Sequence, residues 1–427
     1  MTKKAFFGFT KSQFPLLRPT QTTGPLLTID TPRHLSLYCE VPGEGEATPL
    51  PQKGDGVAPG QRLQLAEAPT AYAIAPAGGT INAVTTVTGD FGRRYLQVDI
   101  ETDAAADPDD QFAGAAEAAT TDTITGYLQN IPGKLPLSLL KGADHPITTI
   151  IISGVDQDVM TATRQYIVQE RAEAIEKGVG VLKSATGIED VVLVVARDTL
   201  QSMAGMGVRG VSVDNVYPAG LPELMIPAAL GVEIPAGTPF EEMGICIISI
   251  EAVAAIGQAF MEKRVPTRKT FSLIDKSGDV RLVEAVIGTP IGDVLAAAGI
   301  EVGDNDRIVV GGPMRGSAAW SLAAPVMADT DALMVQDRAN LPVISNYPCI
   351  NCGDCIGICP ARIQVHMLVR FLEAGQYQEA VDEYDLFSCV ECGLCSYYCV
   401  AQIPIFQYIR LAKHEIARIQ QMEEANV

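Results

Sequence analysis

Histidine, tryptophan and positive charge are all scarce in this chain of 427 residues. Its four histidines, His34, His145, His366 and His414, form no cluster at metal-ligand spacing, so no histidine-bound centre is indicated and each reads as structural or surface. Lys and Arg number 31 against 51 Asp and Glu, a formal net charge of −20. A surface that negative repels phosphate backbones and anionic headgroups, which argues against nucleic acid as a partner. No stretch reaches the roughly eighteen apolar residues needed to span a bilayer. The opening "MTKKAFFGFTKSQFPLLRP" breaks its apolar residues with Thr10, Lys11, Ser12 and Gln13, so it lacks the continuous core of a signal peptide. The expectation is a soluble, cytoplasmic protein that meets the inner membrane, if at all, through partner subunits.

What is present is an ordinary globular composition, 47% hydrophobic and 19% charged, on a chain too long for one core. Residues 1–100 read as a β domain. Short apolar runs from residue 33 onward are punctuated by Gly54-Asp55-Gly56, Pro59-Gly60 and Gly78-Gly79 at hairpin-like intervals. Residues 101–123 collapse to Ala, Asp and Thr and read as a linker or surface loop. In residues 124–260 the β-branched runs "ITTIIISGVD" and "DVVLVVARD" alternate with helical stretches, the pattern of a parallel α/β domain. Residues 261–335 read as a hairpin turning at Lys276-Ser277-Gly278-Asp279. A helix with Thr289 as N-cap, Pro290 at its first position and Gly299 as its stop follows, in a module of β-grasp size.

The remainder, 336–427, holds eight of the ten cysteines. "CINCGDCIGICP" and "CVECGLCSYYCV" both obey C-x-x-C-x-x-C-x-x-x-C. Such spacing wraps a loop around three corners of an iron–sulfur cube, while the fourth cysteine lies too far along and ligates the other cluster. That rule assigns Cys349, Cys352, Cys355 and Cys399 to one 4Fe-4S cluster, and Cys389, Cys392, Cys395 and Cys359 to a second. A pair of zinc sites is the alternative, although zinc leaves the third cysteine of each triplet without a clear role. Gly353 and Gly393 occupy equivalent places where the backbone must turn sharply. The runs lie forty residues apart, and Ala361/Ala401 and Ile363/Ile403 keep that register, as an internal duplication would. Pro360 follows the first run, but Val400 follows the second. Cys39 and Cys246, in apolar surroundings, read as buried thiols. Crowding of C-x-x-C runs in an unexported chain points to metal chemistry rather than disulfides. Between and after the runs, Val365, Leu368, Phe371 and Leu372 recur at helical spacing up to Gly375. The tail "IFQYIRLAKHEIARIQQMEEA" forms an amphipathic helix expected to pack on the cysteine domain.

Several pieces, in order, resemble the RnfC family, the peripheral members of Rnf-type ferredoxin:NAD oxidoreductase complexes. "PQKGDGVAPGQRL" with "APAGGTINAV" resembles its N-terminal barrel-sandwich segment, and "VYPAGLPELMI" the close of its Rossmann-like α/β domain. "IGTPIGDVLAAAG" with "VVGGPMRG" resembles its SLBB-like β-grasp module, and "CVECGLCSYYC" its second cluster loop. The resemblance implies a multi-domain α/β protein ending in a two-cluster ferredoxin-type domain and working beside other subunits of a redox complex. Full members carry a glycine-rich G-x-G-G-A-x-F-P segment for flavin and nicotinamide. Here the matching "ITGYLQNIPGKLPLSLL" keeps only Gly126 and Gly133, with Tyr127, Leu128 and Leu135 in place of bare backbone. Asp156 and Asp158 stand where the family has an acidic turn, and "IISIEAVAAIG" lacks the family's asparagine. "GGPMRG" itself reads as a turn after a buried strand rather than a phosphate loop. The expected function is therefore electron relay through two clusters without a catalytic NADH/FMN site. The alternatives are an NADH-oxidising subunit that binds FMN in a divergent pocket, and a subunit whose clusters only staple a small domain.

Overall fold

The computed structural model describes residues 14–40, 50–66, 71–89, 92–103, 106–136, 146–199, 207–345 and 347–425. His145 and residues 137–140 of the family-like segment lie outside them.

The N-terminal β unit is an antiparallel sheet in which Arg94–Thr102 lies between His34–Glu40 and Gly79–Thr88, with Gly56–Val57 beyond. Alternate residues Leu35, Leu37 and Cys39 face Leu96, Val98 and Ile100 in its core, the period-two pattern of a half-buried sheet. The alanine-rich stretch after it, expected to be a linker or loop, contributes the short helices Gln111–Ala115 and Thr121–Tyr127. One large residue accounts for this difference. Phe112 is buried among Ile124, Leu128 and Ile131, and it rings edge-on with Tyr127 and Phe260. A single aromatic anchor supplies the apolar area that the surrounding composition lacks.

Four parallel strands form the α/β unit in the order Arg209–Val213, Asp190–Ala196, Thr149–Ser153, Ile245–Ser249. Strand order reverses between Thr149–Ser153 and Ile245–Ser249, and the crevice outside the carboxyl ends at such a switch point is the usual ligand site of open α/β sheets. Beneath the sheet, helices Ala172–Thr186 and Ile250–Glu262 touch backbone to backbone. A Cβ on Gly178 would lie 1.9 Å from the Val253 carbonyl oxygen, and one on Gly257 would lie 1.8 Å from that of Ala174. Gly257→Ala should therefore destabilise the protein by about 2 kcal/mol through overpacking, despite better helix propensity. Gly180→Ala, on the open face of the same helix pair with nothing within 4 Å, should stabilise by about 0.5–1 kcal/mol. Opposite shifts of the denaturation midpoint check both.

The following module is a mixed six-stranded sheet. Arg268–Ile274 and Val280–Val286 form the expected hairpin, and Leu27–Thr28 from the N-terminal segment adds an edge beside the second strand. Its helix runs Ile291–Ala297 with Pro290 as N-cap, one residue later than expected. Thr289 instead turns its hydroxyl back to the Val286 carbonyl.

A buried ionic group joins this module to the α/β unit. Lys269, fully buried, donates its Nζ to Glu251, to the Thr270 carbonyl at 2.8 Å and to Asp331 at 3.5 Å. Arg164 reaches Asp331 at 3.2 Å and Ser153 Oγ at 2.9 Å. Burial pushes the Glu251 carboxyl above its ordinary range even with Lys269 beside it.

Candidate metal centre

The two cysteine runs fold alike. Helix Asp354–Ile358 in the first matches Leu394–Tyr398 in the second, and the long helices that follow start at Val365 and Ile405. Left-handed backbone recurs at the same forty-residue offset in Asn351 and Glu391 (φ 56° and 50°), Gly353 and Gly393 (78° and 71°), and Arg362 and Gln402 (57° and 56°). Four of these six are side-chain-bearing residues in a region they rarely adopt, so each loop keeps this path at a cost in local strain. Such repetition is what the duplicated spacing implied. Helix Ile405–Ala425 lays Ile405, Ile409, Ala412 and Ile416 into the same core as helix Val365–Glu373, the packing expected of the amphipathic tail.

Eight thiols divide between two cavities. One is lined by Cys349, Cys352, Cys355 and Cys399, together with Ile350, His366 and Val400. The other is lined by Cys359, Cys389, Cys392 and Cys395, together with Pro360, Phe406 and Ile409. Each cavity thus takes three cysteines from one run and the fourth from the other. Among the described residues no group of three or more Cys, His, Asp or Glu converges on a point to hold a single metal ion; the thiols stand around the cavity walls. Two further observations suit a sulfur-rich occupant. The Ile403 N–H donates to Cys399 Sγ at 3.4 Å, and backbone N–H groups near Cys355, Cys389, Cys392 and Cys395 draw those thiols toward the thiolate form. Burial outweighs them, holding Cys355 and Cys392 up at about 11 and Cys389 at about 12. Metal ions that replace these protons would thus recover the cost of the buried thiolates.

The two cavities differ in their surroundings. Cys352 is exposed at the first, whose rim carries Ile350 and Val400, both more than half exposed. The second is pressed against the rest of the protein. A Cβ on Gly393 would lie 2.6 Å from the Met314 carbonyl oxygen. Tyr217 donates its hydroxyl to the Cys392 carbonyl, Arg315 Nε donates to the Glu391 carbonyl at 3.3 Å, and Lys413 Nζ donates to the Cys389 carbonyl at 2.8 Å and pairs with Glu391.

The loop that supplies Met314 and Arg315 is "GGPMRG". It turns after the strand Arg307–Val310, and its backbone N–H groups at Met314 and Arg315 donate to the Asp158 carboxyl at 2.9–3.2 Å. A carboxyl group does sit in this nest, but it is the chain's own side chain, and burial pushes it up to about 7. Asp156 is likewise engaged: it accepts from the N–H groups of Arg164 and Gln165 at the start of helix Thr163–Glu170. At the switch point, Gly133 lies on the N-terminus of helix Ile250–Glu262, where a Cβ would meet Ser249 Oγ at 2.4 Å and the Ala252 nitrogen at 2.5 Å. Leu128, Ile131 and Leu135 are fully buried on either side of it. Cys39 and Cys246 are buried thiols that line neither cavity, and burial raises them to about 11 and about 12.

Two thiol-lined cavities on a duplicated loop-and-helix frame are the arrangement of a dicluster ferredoxin-type domain, and residues 348–404 match the 4Fe-4S dicluster domain family. Over most of its length the chain is similar to subunits of the RnfC type, the resemblance that its motifs carry. It is 32% identical over 284 residues to the RnfC-type subunit of the ion-translocating oxidoreductase complex of Pseudomonas aeruginosa, covering 64% of this chain and 37% of the relative. With the subunit of the same name from Pectobacterium carotovorum it shares 28% identity over 95% of this chain and 57% of the relative. The corresponding subunit of the Na(+)-translocating ferredoxin:NAD(+) oxidoreductase complex of Acetobacterium woodii is 25% identical over 77% of this chain and 78% of that protein. The chain therefore spans only about a third to three fifths of the length of the first two relatives. Among the described residues no helix is long and apolar enough to cross a membrane.

Proposed function

We propose that the chain is an electron-transfer subunit of a multi-subunit, ion-translocating oxidoreductase and that it relays single electrons through two 4Fe-4S clusters. Cys349, Cys352, Cys355 and Cys399 hold one, and Cys359, Cys389, Cys392 and Cys395 hold the other. The observation that carries this reading is the crosswise division of eight thiols between two cavities, which the two-cluster ligand rule requires and two independent zinc loops do not. When bound, such clusters accept and release one electron each; the chain's own residues supply thiolates, N–H donors and a fixed spacing. The subunit has no nicotinamide or flavin site of the family kind. Gly133 packed on the helix N-terminus, and the pairing of Asp156, Asp158, Glu251 and Lys269 among protein groups, support that absence.

A second reading, NADH oxidation through bound FMN, is favoured by one observation. A cleft of about 260 Å³ borders Gln129, Asn130 and Lys134 in the family-like segment, and Gln129 Oε1 is buried there without a partner among the described residues. The relay reading is preferred because it accounts for all eight cysteines of the two runs.

Protein purified without oxygen should contain about eight irons and about eight sulfides per chain and no flavin, and NADH alone should leave its visible absorption unchanged. Bleaching by NADH in the absence of any partner would establish the second reading instead.

A further inference from the structure

His366 has no place in the cysteine pattern, yet it lines the first cavity together with Cys349, Cys352, Cys355 and Cys399. Its Nδ1 is buried and has no hydrogen-bond partner among the described residues. Buried polar atoms are nearly always satisfied, and a donor left unpaired inside a protein carries the full cost of its lost hydration. The wall it shares is otherwise apolar, built by Ile350, Val369, Val400, Ile403 and Ile405. In the tautomer that carries its proton on Nδ1, what satisfies this nitrogen is an acceptor that occupies the cavity.

We propose that His366 is a positioning residue for the cluster held by Cys349, Cys352, Cys355 and Cys399: its Nδ1–H donates a hydrogen bond to a cluster or cysteinyl sulfur and raises that cluster's reduction potential. The inference rests on the two-cluster reading above. Its physical basis is the charge change on reduction. One electron, supplied by a one-electron reductant, makes the cluster more negative by one unit and its sulfurs better acceptors, so an N–H aimed at them stabilises the reduced form more than the oxidised form. No proton moves in this step. The second cluster does not share the device. The position equivalent to His366 at the forty-residue offset is Phe406, which lines the second cavity and offers no donor.

The test is a redox titration followed by electron paramagnetic resonance at one fixed pH, on wild type and three variants, with iron and sulfide counted in each. His366→Phe keeps a ring of similar shape and removes both nitrogens. His366→Asn places an amide nitrogen near the position of Nδ1, and His366→Gln places one near that of Nε2. The signal of the first cluster is identified by its loss in Cys352→Ala. The expected result is that His366→Phe retains its iron and lowers the midpoint of that signal alone, that His366→Asn returns it toward wild type, and that His366→Gln does not. An unchanged midpoint in His366→Phe, an equal shift in His366→Asn, or loss of iron from His366→Phe would each overturn the proposal. A wild-type count well short of two clusters would instead sink the two-cluster reading, which keeps the two failures apart.

Discussion

Replacing Cys359 by alanine should spare the cluster of its own run and remove the cluster of the other. Cys359 closes the first cysteine run, but its side chain lines the cavity of Cys389, Cys392 and Cys395. Iron should fall from about eight to about four per chain, and the surviving signal should be the one abolished by Cys352→Ala. Cys399→Ala should show the mirror result, losing the cluster associated with the first run. If each run instead closed its own site, Cys359→Ala and Cys352→Ala would abolish the same signal. Iron analysis and electron paramagnetic resonance of the two single variants decide between these outcomes.

The second large effect lies outside the cysteine domain. Lys269→Met leaves Glu251, which is almost fully buried, without its cation, and the donor that remains among the described residues, the Thr270 N–H at 3.2 Å, cannot offset a buried charge. Breaking one side of such a pair costs about 3–5 kcal/mol, whereas replacing both partners by apolar residues of similar volume is often close to neutral. Lys269→Met is therefore expected to lower the denaturation midpoint sharply, and Lys269→Met combined with Glu251→Leu should recover most of the loss. Asp331 limits that recovery, because it also contacts Lys269; its remaining cation is Arg164. A double variant no better than the single one would show that the group acts through its shape rather than its charge.

The cysteine domain was the most legible part of the chain because its constraints are local. Spacings of three, a glycine at a left-handed turn and a forty-residue repeat each leave a mark in the letters themselves. The strand and helix order of the α/β unit was legible for the same reason, through the runs at residues 147–156 and 190–198. Features made by distant partners left no such mark. Lys269 in "RKTFSLI" looks like the solvent-facing residue of a strand until Glu251 is brought to it from another unit. Phe112 looks like an accident in an alanine-rich loop until Ile124 and Phe260 enclose it. His366 follows Cys359 by seven residues, on a helix that contributes Val365 to one cavity and itself to the other, so no spacing rule could attach it to the first. "GGPMRG" was legible as a turn, but nothing in its letters showed that Asp158 would fill it.

Helix Ile405–Ala425 gives Ile405 to the first cavity and Phe406 and Ile409 to the second, and Lys413, further along, grips the Cys389 carbonyl. One rigid rod thus serves as a ruler between the two nests. Tunnelling between redox centres decays exponentially with their separation, so on the relay reading proposed above a ruler of this kind would keep the length of the hop between the two nests constant.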